Sequence, residues 1–109
     1  MGAMNTKRLS VIVVGLLLMT VSTVTKSAEY QIAIANMKFG LPPTTLHVGD
    51  VIVWRNDDIF RHTATARDAS FDIDLPAKSQ KKMTIERTGD VKFYCRFHPM
   101  MIGELNVQP

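Results

Sequence analysis

Apolar and polar residues alternate along several short stretches of this chain. Tyr30, Ile32 and Ile34 share one parity, and Leu105 and Val107 alternate with polar neighbours near the C-terminus. The same alternation recurs at Leu46 and Val48, at Met83 and Ile85, and at Val91, Phe93 and Cys95. A period of two predicts β-strands with one buried face. No sustained helical period follows Glu29.

Turn signals separate these predicted strands. Clusters rich in Gly, Pro, Asn and Asp occur at residues 40–43, 49–50, 56–58 and 88–90. Residues 51–54 are apolar on both parities, which predicts a central strand buried on both faces. About seven short strands in residues 29–109 predict an all-β domain, an antiparallel Greek-key β-sandwich.

The N-terminal segment has a different character. Lys7 and Arg8 precede an uncharged, mostly apolar run of about fifteen residues, which is shorter than the about 20 that cross a bilayer. A basic start and a short apolar run predict a secretory signal peptide over residues 1–28, with residues 1–3 as a cloning remnant.

The end of this leader admits two cleavage sites. Cleavage after Ser27 fits the preference for small residues better than cleavage after Ala28, which would put Lys26 at the third position back. An uncleaved N-terminal membrane anchor is the alternative to a removed signal peptide. Residues 29–109 are the predicted folded domain.

The net charge of +3, from 13 Lys and Arg against 10 Asp and Glu, comes from the leader. Lys7, Arg8 and Lys26 are the only charged residues before Glu29, so the predicted domain carries ten charges of each sign. We therefore expect no basic nucleic-acid-binding face. The chain has one cysteine, so an intrachain disulfide is impossible. A bound metal ion is therefore the candidate for additional stabilisation of so small a domain.

Residues 91–107 carry the candidate ligands. Cys95 closes one predicted strand, His98 lies in the loop and Met101 precedes the next strand. Parity directs Cys95 and Met101 toward the core, and it puts His62 on the apolar side of an upstream strand. One thiolate, two imidazoles and one thioether suit copper, with Cys and two His in a plane and a weak axial Met.

The spacing Cys95-x2-His98-x2-Met101, with His62 upstream, resembles the blue copper proteins (cupredoxins), most closely the amicyanin and plastocyanin group. Residues 36–39, 48–54 and 70–72 share this similarity. The resemblance implies that His62 and His98 bind copper through imidazole nitrogens, Cys95 through its thiolate and Met101 axially. It also implies a hydrogen bond from the backbone N–H of Thr63 to the Cys95 sulfur.

Two positions depart from the family. Thr63 stands where amicyanin and plastocyanin have Asn, and Phe97 stands where amicyanin has Pro before the loop His. The first departure concerns the side-chain bracing between the two ligand-bearing segments, and the second concerns the stiffness of the loop. We expect both to tune the redox potential rather than abolish the site.

The function implied is that of an exported, periplasmic one-electron carrier, not an enzyme, which is membrane-anchored if the leader stays. As a monomer it would dock redox proteins through an apolar patch that includes His98, Pro99 and Met100, with Phe97 a further candidate member. A copper-handling carrier or chaperone that passes metal rather than electrons is the main alternative. A zinc or purely structural domain is a third.

Other polar and thioether residues are assigned simpler roles. Met100 competes with Met101 for the axial place, but its parity predicts an exposed contact beside His98. His47 is predicted to face solvent. Arg61 and Arg96 are either docking residues or solvated charges. The acidic residues Asp57, Asp58, Asp68, Asp72 and Asp74 are predicted to be solvated loop residues.

Overall fold

The computed structural model describes residues 2–4, 10–21 and 27–109. These residues form nine strands and no helix. The strands are β1 (Glu29–Ala35), β2 (Lys38–Phe39), β3 (Leu46–His47), β4 (Val51–Asn56), β5 (His62–Ala66), β6 (Asp72–Leu75), β7 (Gln80–Thr84), β8 (Gly89–Tyr94) and β9 (Ile102–Gln108). The predicted all-β sandwich is confirmed.

The strands form two sheets. One sheet has the order β2-β1-β4-β7 and the other has the order β3-β9-β8-β5-β6. Five of the seven strand pairs in the described residues are antiparallel, as predicted, but β1 pairs with β4 and β3 pairs with β9 in parallel. Alternation of side chains looks the same in parallel and antiparallel pairs, so the pattern could not separate them.

The predicted number of about seven strands agrees with the number of longer strands. Seven of the strands have four residues or more, while β2 and β3 have two each. Val48, predicted to share the buried face of Leu46, is instead exposed, because the chain turns at Gly49 with a φ of 94°.

Asp72 and Asp74 lie in strand β6 and not in a loop, which corrects the prediction for both residues.

Aromatic side chains fill the core between the sheets. The ring of Phe93 packs edge-on against Phe39 and Trp54, at centroid distances of 4.9 and 5.1 Å. Phe93 is opposite Gly103 in the β8–β9 ladder. A Cβ at Gly103 would lie 2.6 Å from Cε2 of Phe93 and closer still to Cζ, so only glycine admits the ring here. This packing fixes Phe93, which lies two residues before Cys95, near the end of β8.

The predicted leader is described only in part. Residues 10–21 contain neither helix nor strand, and their apolar side chains are exposed, with Leu17 at 80%. The basic residues Lys7, Arg8 and Lys26, on which the signal-peptide prediction depends, lie outside the described residues. Within the residues that are described, no helix has the length and hydropathy required to cross a membrane.

Candidate metal centre

Three of the four predicted ligands come together where β5 and β8 meet. His62 is the first residue of β5, and Cys95 directly follows β8, which pairs with β5. His98 lies in the turn after Cys95. The possible ligand atoms of these three residues all lie within 4.8 Å of one another. The fold therefore assembles one donor cluster from two separate parts of the chain.

The donor atoms point at a common centre. Sγ of Cys95 is 3.7 Å from Nδ1 of His62 and 3.7 Å from Nδ1 of His98. The two Nδ1 atoms are 3.2 Å apart. His62 and Cys95 are fully buried, whereas His98 is half-buried. The cluster thus presents one sulfur and two nitrogens in a triangle with nearly equal sides.

These separations fit a single metal ion. Protein ligands bind an ion such as zinc at about 2.3 Å through sulfur and about 2.0–2.1 Å through imidazole nitrogen. With the ion in the ligand plane, these bonds would separate sulfur from nitrogen by about 3.8 Å and the two nitrogens by about 3.5 Å. The observed triangle is close to this, with a narrower angle between the nitrogens. One thiolate with two imidazoles is the donor set that copper favours in trigonal sites.

Met101 closes the loop that carries Cys95 and His98. The Cys95 N–H donates to the Met101 carbonyl at 3.1 Å, and the Met101 N–H donates to the His98 carbonyl at 2.9 Å. Met101 is 5% exposed and belongs to the core, whereas Met100 is 95% exposed, as strand parity predicts. Axial binding by the Met101 thioether stays a prediction.

Asp58 selects the nitrogen of His62 that faces the cluster. Oδ2 of Asp58 lies 2.8 Å from Nε2 of His62. A carboxylate can only accept a hydrogen bond, so Nε2 carries a proton, and in the neutral ring Nδ1 then keeps its lone pair. That lone pair is directed toward Cys95 and His98, as binding of a metal requires.

Asp58 also holds the turn between β1 and β2. Its carboxylate accepts hydrogen bonds from the N–H of Asn36 at 2.8 Å and of Met37 at 3.0 Å, two residues with positive φ. Desolvation would raise the pKa of Asp58, but the hydrogen bonds from Met37, His62 and Asn36 outweigh it and hold the pKa below its ordinary value. The prediction of a solvated turn residue is therefore wrong for Asp58.

Thr63 connects the two ligand-bearing segments. Its N–H donates to Sγ of Cys95 at 3.3 Å, the contact that the resemblance implied. Its hydroxyl oxygen accepts the N–H of Arg96 at 2.9 Å. The antiparallel register of β5 and β8, which pairs Thr65 with Tyr94, brings Thr63 opposite Arg96. A threonine hydroxyl thus braces the loop at one of the two positions where the sequence departs from amicyanin and plastocyanin.

Exposed apolar side chains lie near His98, either in space or in sequence. Met100, Phe97 and Phe60 are all exposed, and the Phe60 ring lies 6.4 Å from the His98 ring. Ile59, beside Phe60, is 74% exposed. Ile59 and Phe60 were missing from the predicted patch because the sequence indicated only a turn before His62.

Arg61 and Arg96 are both paired with acidic residues of β6. Arg61 donates to both carboxylate oxygens of Asp74 at 2.8 Å, and Arg96 donates to Asp72 at 3.1 Å. Both guanidinium groups also lie over the Phe97 ring, at 5.2 and 5.6 Å from its centre. Neither arginine is a lone solvated charge, and both make cation–π contacts with Phe97. His47 is exposed, as predicted.

Solved amicyanin structures share this fold. Amicyanin from Paracoccus versutus (Thiobacillus versutus) superimposes with a TM-score of 0.61 at 20% identity, over 77% of this chain and 83% of that one. The reduced Cu(I) form, at pH 4, of a proline-to-glycine variant of amicyanin gives 0.62 at 24% identity, over 76% and 85%. A reduced tryptophan-to-tyrosine variant gives 0.62 at 21% identity over the same shares.

No protein-family model and no curated protein matches the chain. At identities below 25% the likeness to amicyanin is a likeness of fold. The chain therefore has the cupredoxin fold in the form found in amicyanin.

Proposed function

We propose that this protein is a type 1 (blue) copper protein that carries single electrons between redox partners and is not an enzyme. The observation that carries the proposal is the triangle of Cys95, His62 and His98 donors, which combines a soft thiolate with two imidazoles in a rigid β-sandwich. A bound copper ion supplies the one-electron chemistry by cycling between Cu(I) and Cu(II).

The residues of the chain would hold this ion and limit its movement. Cys95, His62 and His98 would bind it through one thiolate and two imidazoles, and Met101 would add a thioether. Burial of Cys95 keeps water from the thiolate. Because the backbone on both sides of Cys95 is hydrogen-bonded, the donor positions would change little when the charge of the metal changes.

Electrons would enter and leave at His98. Its ring is the half-buried member of the cluster, and exposed Phe60, Phe97, Pro99 and Met100 lie around it. An apolar patch of this kind suits brief docking with redox proteins. Asp74 and Asp72 neutralise the two arginines at its border, so we propose partners with an apolar and nearly uncharged docking face, bound by a monomer.

Copper handling is the less favoured alternative. Exposed Met100 could contact Cu(I), as a metal carrier would need. However, a chaperone exchanges its metal readily, whereas Cys95 and His62 are fully buried here and the loop is closed by backbone hydrogen bonds. These contacts favour retention of the ion and hence electron transfer.

We also propose that the protein is exported after cleavage behind Ser27. The Ala28 N–H donates to the buried carboxylate of Asp50 at 3.1 Å, and the Ala28 carbonyl accepts the N–H of Val51 at 2.9 Å. Ala28 is therefore hydrogen-bonded to the folded domain, and cleavage behind Ser27 would retain it. N-terminal sequencing of the protein from its native compartment should begin at Ala28. An intact leader would support a membrane anchor instead.

An absorption spectrum tests the copper assignment. The oxidised, copper-loaded protein should be intensely blue because of charge transfer from the Cys95 thiolate to Cu(II), and Cys95→Ser should abolish the colour. His47→Ala is the matched control, since His47 is exposed and distant in sequence from the cluster. A colourless Cu(II) protein, or zinc in the native protein, would refute the proposal. Copper transfer to an acceptor that outpaces redox cycling would favour the handling function.

A further inference from the structure

A closed ring of hydrogen bonds lies on the face of the sheet that is opposite the core, beside Cys95. The Arg96 N–H donates to the Thr63 hydroxyl oxygen at 2.9 Å, and the Thr63 and Thr65 hydroxyls are 2.9 Å apart. The Thr65 hydroxyl donates to Oδ1 of Asp72 at 2.7 Å. The Arg96 side chain completes the ring, since its Nε donates to the same oxygen at 3.1 Å.

The strand register explains why these four residues meet. β5 lies between β6 and β8, with Thr65 paired to Asp72 on one side and to Tyr94 on the other. Thr63 and Thr65 share a parity and therefore a face. Both threonines are buried, so their hydroxyls depend on each other and on Asp72 and Arg96 for hydrogen bonds.

The ionised carboxylate fixes the direction of every bond in the ring. Asp72 can only accept, so the Thr65 proton is committed to it. Thr65 then has no proton left for Thr63, and the Thr63 hydroxyl must donate to Thr65. The Thr63 hydroxyl thus donates to Thr65 while its oxygen accepts the Arg96 N–H. The hydrogen bond from Thr65 and the Arg96 guanidinium hold the pKa of Asp72 below its ordinary value, so it is ionised at neutral pH.

We propose that Asp72 is a positioning residue for the metal-binding loop, acting on the backbone at Arg96 and Thr63 through the two threonine hydroxyls. Hydrogen bonds in a chain polarise one another, so a charge at one end strengthens the bond at the other. The ring joins β6, β5 and the segment after Cys95. The backbone N–H of Thr63 also donates to the Cys95 sulfur. Asp72 therefore holds the thiolate-bearing segment against the strand that carries His62.

This inference concerns the site to which copper was assigned above, but its first test needs no metal. We would measure amide hydrogen exchange at Arg96 and Thr63 in the copper-free full chain by NMR. Asp72→Ala should speed exchange of the Arg96 amide about tenfold, because the chain of hydrogen bonds that ends at this amide loses its charged acceptor. Asp74→Ala is the matched control, because Asp74 is on the same strand and is paired with Arg61 but lies outside the ring. The control should change the rate less than twofold.

Thr65→Val tests whether Asp72 acts through the threonine hydroxyls or through its ion pair with Arg96. Valine keeps the shape of the side chain and leaves the Asp72–Arg96 contact in place. We expect it to speed Arg96 exchange as much as Asp72→Ala does, and the double variant to add little to either single change. Fully additive effects, or an Asp72→Ala variant that matches the Asp74→Ala control, would overturn the proposal.

The copper-loaded protein gives a second and independent readout. Asp72→Ala and Thr65→Val should shift the thiolate-to-copper absorption band, whereas Asp74→Ala should leave it in place. An unchanged band in both ring variants would contradict the positioning function. If the wild-type protein proved colourless with Cu(II), the copper assignment would fail while the exchange measurements still decided the function of Asp72.

Discussion

The carboxylate of Asp58 lies 2.8 Å from Nε2 of His62, and it thereby determines which nitrogen of that ring faces Cys95. The same carboxylate accepts two backbone N–H groups from the turn after β1. One acidic side chain therefore links the first sheet to the donor cluster in the second. Its removal frees the imidazole to rotate or to adopt the other tautomer.

Asp58→Ala is expected to lower copper affinity by about 10- to 100-fold, the usual effect of losing a group that orients a metal-binding histidine. Competition with a chelator of known affinity measures the change. Asp57→Ala is the control, because Asp57 is exposed and pairs with Arg55 on the surface. Equal affinities for the two variants would show that Asp58 does not orient His62.

Gly103→Ala should destabilise the domain by about 1–3 kcal/mol, because the added Cβ overlaps the Phe93 ring in a packed core. Chemical denaturation of the copper-free protein measures the loss. Phe93→Leu leaves a smaller side chain opposite position 103, so the double variant should lose less stability than the sum of the two single variants. Additive losses would mean that the two positions are not coupled.

The donor cluster could be predicted from the sequence because its ligands are tied to strand parity and to short spacing. Cys95, His98 and Met101 lie within seven residues, and the burial of Cys95 and Met101 follows from alternation along β8 and β9. His62 was found by the same parity on β5. These inferences need only local geometry, and the structure agrees with their placement of Cys95, His98 and His62.

The groups that support the cluster could not be predicted in the same way. Asp58 looks like a turn residue, and its contact with His62 depends on how the β4–β5 connection folds back. Asp72 was assigned to a loop because β6 has only four residues, two of them acidic. Parallel pairing of β1 with β4 depends on packing across the whole domain. Sequence alternation reports which face is buried, but it does not report which strand lies alongside.

The Arg61–Asp74 pair should make the free energy of unfolding depend on pH in the acidic range. The Arg61 hydrogen bonds hold the pKa of Asp74 below 3.8, although desolvation opposes them, and the Arg61 charge adds to the lowering. A carboxyl with a lower pKa in the folded state stabilises the protein above its unfolded pKa, and that contribution is lost as pH falls through the folded value.

Wild type and Asp74→Asn should therefore differ in unfolding free energy by a constant amount from about pH 5 to pH 8, and the difference should shrink below about pH 4. Denaturant titrations at several pH values measure this difference. Carbon NMR of the Asp74 carboxyl should show a midpoint below 3.8, the ordinary value. A midpoint at or above that value would contradict the lowered pKa.

Met100 and Met101 are adjacent in the chain, but Met100 is exposed and Met101 is buried. Their alanine variants should therefore differ in their effect on stability. Met101→Ala should cost about 2–5 kcal/mol in the copper-free protein, because it empties a core position, and Met100→Ala should change stability by no more than about 0.5 kcal/mol. In the copper-loaded protein only Met101→Ala should alter the redox potential and the blue absorption, since an axial thioether tunes both. If Met101→Ala lowered stability but left the potential and the spectrum unchanged, Met101 would be a core residue and not a ligand.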